Sequence, residues 1–98
     1  MAKRIIWSLK ARDERQAILE YWHLRNGNKT YSRKIAEEFR ETIQYIVEHN
    51  YIGVATDEKN VRVAVSGHYL IFYQIKEDVI EILTIWDSRR DPRNLKLE

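Results

Sequence analysis

The chain reads as a small α+β domain in the order β-α-α-β-β-β, a helical hairpin laid across an antiparallel meander. Three observations predict this. Two stretches, Ala11 to about Arg25 and Thr30 to about Asn50, carry apolar residues at helical spacing with charged residues between them. Only a short Gly-containing break separates the two. From Val61 to Trp86, three short runs of β-branched and aromatic residues are divided by turn formers. Neither helix can bury its stripe alone, so both need a sheet to pack on.

Each element has its own signal. Arg4 to Leu9 is expected as a strand, with Ile5, Trp7 and Leu9 on one face and Arg4, Ile6 and Ser8 on the other. Ser8 is placed to cap the first helix. In that helix Ala17, Ile18, Tyr21 and Trp22 share a stripe, and Asn26-Gly27-Asn28 ends it, because Gly and Asn accept left-handed backbone angles. The second helix is the clearest: Ile35, Ala36, Phe39, Ile43, Ile46 and Val47 repeat on one face, opposite Glu37, Glu38, Arg40 and Glu41. Tyr51 to Asn60 reads as a loop. Val61 to Val65 alternates valines with Arg62 and Ala64. Tyr69 to Ile75 is almost wholly apolar, as expected of a central strand covered on both faces. Val79 to Trp86 is the last strand. Ser66-Gly67-His68 and Lys76-Glu77-Asp78 are the turns between these three.

The 98 residues make one domain, 1–98, with no room for a second core. Seventeen basic and fifteen acidic residues leave a net charge of +2, too little to argue for direct DNA binding. The absence of cysteine excludes disulfides, thiolate chemistry and cysteine metal sites, and no two histidines have ligand spacing, so neither metal nor cofactor is expected. The apolar runs are too short to span a membrane and the N-terminus is not a secretory signal, so a soluble cytoplasmic protein is expected.

The candidate functional residues lie where the last strand stops, at Trp86-Asp87-Ser88-Arg89-Arg90-Asp91-Pro92. Polar groups at the exit of a rigid sheet are well placed for function. Arg89, Arg90 and Arg93 suit a phosphate or an acidic partner, with Trp86 where the sheet meets the polar corner. The plainer reading makes them solvated charges paired with Asp87 and Asp91. If the valine face packs on the helices, Arg62 lies on the open face of the sheet, in a site or in solvent. His68, in a turn, is a candidate acid or base because its imidazole titrates near neutrality. A turn histidine is more often only solvated.

Taken together, Ile6-Trp7-Ser8, Ile18 to Trp22, Ala36-Glu37-Glu38-Phe39, Gly67 to Tyr73 and Ile82 to Pro92 make the chain resemble the RelE/ParE superfamily over nearly its whole length. Those are the toxins of type II toxin–antitoxin modules, often described as plasmid stabilisation proteins. The resemblance implies a growth-inhibiting toxin held silent by a cognate antitoxin encoded beside it. It leaves two branches: a RelE-like ribosome-dependent mRNA endonuclease needing no metal, and a ParE-like non-nuclease that poisons DNA gyrase.

Under the nuclease branch Arg62 and Arg89 would hold the phosphate, with His68 or Lys59 assisting proton transfer. RelE-like nucleases commonly carry an arginine after the tyrosine of the Gly-x-Tyr strand. Here Tyr69 is followed by Leu70, and the tail Arg93 to Glu98 lacks the expected tyrosine. Metal-free RNA cleavage must activate a 2′-OH, stabilise a pentavalent phosphate and protonate a leaving oxygen, so a thinned set of cations and proton donors weakens that branch. The ParE-like branch is therefore preferred, the nuclease is the alternative, and an inactive antitoxin-binding homologue is a third reading.

Overall fold

A computed structural model of the protein describes residues 3–90. The elements are β1 (Arg4–Trp7), α1 (Leu9–Asn26), α2 (Thr30–Glu48), β2 (Val54–Ala55), β3 (Val61–Ser66), β4 (Tyr69–Ile75) and β5 (Val79–Asp87). The strands form one sheet in the order β1-β5-β4-β3-β2. β2 to β5 are antiparallel neighbours, as the meander requires. β1 joins it at the far edge, parallel to β5, with Arg4 opposite Val79 and Trp7 opposite Ile82. The α+β class and the helical hairpin are as expected. The mixed sheet and the two-residue β2, inside the stretch expected as loop, are additions.

The first strand ends earlier than its alternation suggests. Ser8 turns the chain: its Oγ accepts from Ala11 N at 3.0 Å and donates to Leu83 O at 2.9 Å. The expected cap is present, and Leu9 is left as the first helical residue, 70% exposed instead of on the inner face of a strand. Gly27, with φ of 70°, closes α1 in the left-handed region that glycine adopts without a Cβ penalty.

The core lies between the hairpin and one face of the sheet. Ile35, Phe39 and Ile46 of α2 and Ala11 of α1 meet Ile71, Tyr73, Ile75, Ile80, Ile82 and Ile85. Burying a side chain such as Phe39 contributes roughly 1.5–3 kcal/mol. The opposite face carries a second cluster of Val61, Phe72 and Trp86, edged by Val63, Leu70 and Leu83. β4 is thus central and apolar on both faces, as its composition predicts.

The condition placed on Arg62 does not hold. Val61 and Val63 belong to the cluster away from the helices, Val65 beside them is 68% exposed, and Ala64 belongs to the helix-side core. Arg62 lies opposite Tyr73, another helix-side residue, so it is on the helix face of the sheet and not the open one.

α1 is bound to β5 where β1 runs out. β1 covers β5 only as far as Ile82, which leaves the next backbone groups of β5 without a strand neighbour on that side. Glu14 of α1 takes their place: its Oε1 accepts from Ile85 N at 3.1 Å and from Thr84 Oγ1 at 2.7 Å. A buried amide left unpaired there would be costly, and one carboxylate satisfies two donors. Among the described residues no helix is long and apolar enough to cross a membrane.

Candidate functional site

Beyond Ile85, β5 and α1 diverge and leave an open groove of about 510 Å³. Ala17, Ile18, Trp22 and Ile85 give it apolar walls, and Arg25, Arg89 and Arg90 give it cations. Tyr69, Glu14 and Asp87 complete it. All four residues of the α1 stripe line this groove: Ala17 and Tyr21 are exposed, and Ile18 and Trp22 are partly buried because they also pack on the core.

Short, directional contacts hold the corner in place. Tyr69 pairs with Asp87 in register, and Ser88 N donates to His68 O at 2.9 Å, so the β5 exit is tied to the β3–β4 turn. Arg90 N donates to Asp87 O at 3.0 Å, which folds the exit into a turn. Trp22 Nε1 donates to Tyr69 OH at 2.9 Å, joining α1 to β4. Burial raises the Tyr69 phenol above its ordinary value, outweighing the hydrogen bond from Trp22.

The charges of the groove are not equivalent. Asp87 fills the guanidinium fork of Arg89, accepting from Nε at 2.9 Å and Nη2 at 2.8 Å, and it also accepts from Arg89 N at 2.9 Å. These bonds hold the Asp87 carboxyl below the usual carboxylate range and push Arg89 higher still. The plainer reading of Arg89, a cation paired with Asp87, is thus realised in part. Arg90 and Arg25 are held differently. Arg90 lies over the Trp86 ring at 5.0 Å and Arg25 over Trp22 at 6.0 Å. Among the described residues neither has a carboxylate at ion-pair distance. The two groove carboxylates, Glu14 and Asp87, are both engaged within the fold. An incoming ligand therefore meets an apolar wall rimmed by positive charge.

Of the sequence-predicted residues, Arg89, Arg90 and Trp86 gather at this corner. Trp86 contributes from the far face of the sheet, 8% exposed, as a platform for Arg90. Arg93 lies outside the described residues. Arg62 is elsewhere: its Nη1 donates to Gly53 O at 3.2 Å and its guanidinium lies 5.1 Å from the Tyr51 ring. It is in register with Tyr73, four residues along β4 from Tyr69, which is about 13 Å of strand. The His68 side chain is exposed beside Tyr31, Lys34 and Glu38, in a small cavity of about 110 Å³ that shares Tyr69 with the groove. Leu70, at the position of the family arginine, is opposite Trp86 on the face away from the helices. Arg62 thus lies away from the corner, and Arg89, the other arginine expected to hold a phosphate, is paired there with Asp87.

Arg25 and the groove-lining part of α1 were not singled out by sequence reasoning. The available signal was Arg25 one helical turn beyond Tyr21 and Trp22, which extends their stripe past what a core needs.

Residues 5–92 match the family described as the ParE toxin of type II toxin–antitoxin system, parDE. A chain of the solved chromosomal ParDE TA system from P. aeruginosa superposes with a TM-score of 0.74 over 88% of this chain and 96% of that one. At 19% identity that likeness is one of fold. No curated protein sequence matches. With the family match spanning nearly the whole chain, this protein belongs to the ParE toxin family of type II toxin–antitoxin systems.

Proposed function

We propose that this toxin stops growth by binding a protein target, DNA gyrase, and not by cutting RNA, and that a cognate antitoxin neutralises it by seating an acidic and apolar segment in the α1–β5 groove. The observation that carries the reading is the state of the corner arginines. Arg89 is charge-balanced by Asp87, and Arg90 and Arg25 lie on aromatic faces; guanidinium groups bind anions and take no proton, so the described residues at the rim of the corner suit binding more than proton transfer. The corner offers what an acidic peptide needs: an apolar wall of Ile18, Trp22 and Ile85 with guanidinium groups at its rim.

Purified full-length chain added to gyrase in an ATP-dependent supercoiling assay tests the reading. Supercoiling is expected to fall with toxin concentration and to recover when stoichiometric antitoxin is added first. Intact supercoiling with toxin in excess would contradict the proposed target.

A further inference from the structure

The fork of Arg89 is already occupied. Two parallel N–H donors, Nε and Nη2, meet the two oxygens of Asp87 at 2.9 and 2.8 Å, the geometry in which a guanidinium binds any carboxylate. The Asp87 side chain is 22% exposed and that of Arg89 54%, so the arginine half of the pair stands open to the groove. Arg25 and Arg90, by contrast, lie over ring faces with no carboxylate at ion-pair distance among the described residues, and Arg25 Nη1 makes only a long hydrogen bond to Tyr21 OH, at 3.4 Å. An acidic segment entering the groove thus finds two arginines ready and one engaged.

We propose that Asp87 stands in, in the free protein, for a carboxylate of the partner, and that an acidic side chain of the antitoxin displaces it from Arg89 when the antitoxin segment enters the groove. This rests on the reading of the groove as the antitoxin's seat, and it adds the chemistry of one contact. The group that Arg89 receives is a planar carboxylate from Asp or Glu, exchanged for an equivalent one already present. The exchange is close to balanced, because the fork keeps two hydrogen bonds throughout and the hydration that Asp87 regains offsets what the incoming carboxylate loses. Asp87 is then a specificity residue. It lowers the affinity of Arg89 for ligands that cannot supply a matching fork, and its own negative charge repels a phosphate chain at the same place.

The role can be separated from a purely structural one. Asp87 also accepts from Arg89 N, which shapes the turn, and an asparagine keeps that acceptor while losing the charge. Binding of purified cognate antitoxin to the full chain is measured for wild type, Asp87→Asn, Arg89→Ala and the double variant. Asp87→Asn is expected to tighten binding about two- to fivefold, the size of a partly exposed ion pair. Arg89→Ala is expected to weaken binding, and in its background Asp87→Asn is expected to bring no gain.

Three results would overturn the proposal. If Asp87→Asn leaves affinity unchanged or lower while Arg89→Ala still weakens it, Arg89 acts without release of Asp87, and the groove reading stands. If the gain from Asp87→Asn persists without Arg89, the effect is only that of removing a negative charge. If Arg25→Ala, Arg89→Ala and Arg90→Ala all bind as wild type, the antitoxin docks elsewhere, and the groove reading fails as well. Circular dichroism checks that each variant is folded. Asp87→Ser, which also keeps an uncharged acceptor, replaces Asp87→Asn if the latter does not fold.

Discussion

Tyr73 and Gly53 are fitted to each other with no space to spare. The phenol of fully buried Tyr73 accepts from Gly53 N at 3.0 Å and donates to Asn50 O at 2.8 Å, so it pins the segment leaving α2 to the middle of the sheet. A Cβ on residue 53 would stand 2.7 Å from Val63 O and 2.8 Å from the Tyr73 hydroxyl. One of these is backbone and the other a hydrogen-bonded ring, and neither can give way cheaply. Gly53→Ala is therefore expected to destabilise the fold by about 1–3 kcal/mol, read from denaturant unfolding. Asp87 makes a pH-dependent contribution. Its folded carboxyl titrates below its ordinary value because of Arg89, so the unfolded chain binds the extra proton first as pH falls. The stabilisation is present above the unfolded value, near 4, and is lost as pH drops through the folded one. Asp87→Asn is expected to flatten the acid limb of a melting-temperature profile below pH 4 and to leave its shape near neutrality unchanged. A steep acid limb that persists in the variant would assign the acid sensitivity to other carboxylates.

At the scale of elements, what the sequence made legible depended on how local the signal was. The Ser8 cap, the Gly27 stop and the α2 stripe are written within a few residues, and all are found as read. The orientation of β3 was not legible for a physical reason. β4 is apolar on both faces, so the alternation of Val61, Val63 and Val65 fits either side of the sheet equally well. Arg62 accordingly came out on the opposite face. Parallel pairing of β1 with β5 joins residues about seventy-five apart, and no local pattern specifies it. The same holds for the bond that anchors α1, because Glu14 in the sequence is only one charge on a solvated helix. In the structure it is the acceptor for the free edge of β5. Glu14→Ala is expected to cost about 1–3 kcal/mol by leaving the Ile85 amide and the buried Thr84 hydroxyl without their partner. Hydrogen exchange at the Ile85 amide should accelerate well beyond that at Ile80. Unchanged protection of Ile85 would mean that water or another group replaces the carboxylate without loss.

Across the whole molecule, the modest net charge of +2 conceals an uneven distribution. The groove carboxylates are consumed inside the fold, while Arg25 and Arg90 lie over rings with no carboxylate at ion-pair distance among the described residues. The corner was legible from Arg89, Arg90 and Trp86, because a polar run ending a strand marks an exit from the sheet. Its other wall was not, because the α1 residues Ala17, Tyr21 and Arg25 become groove residues only through where α1 lies against β5. The family match accounts for the class of protein.

The most direct test is a short induction of the chain in bacteria, with growth followed and mRNA 5′ ends mapped against an uninduced control. The account predicts growth arrest with no new ends inside translated codons. Arrest accompanied by new cuts within codons would contradict it and make the protein a ribosome-dependent nuclease in spite of Leu70.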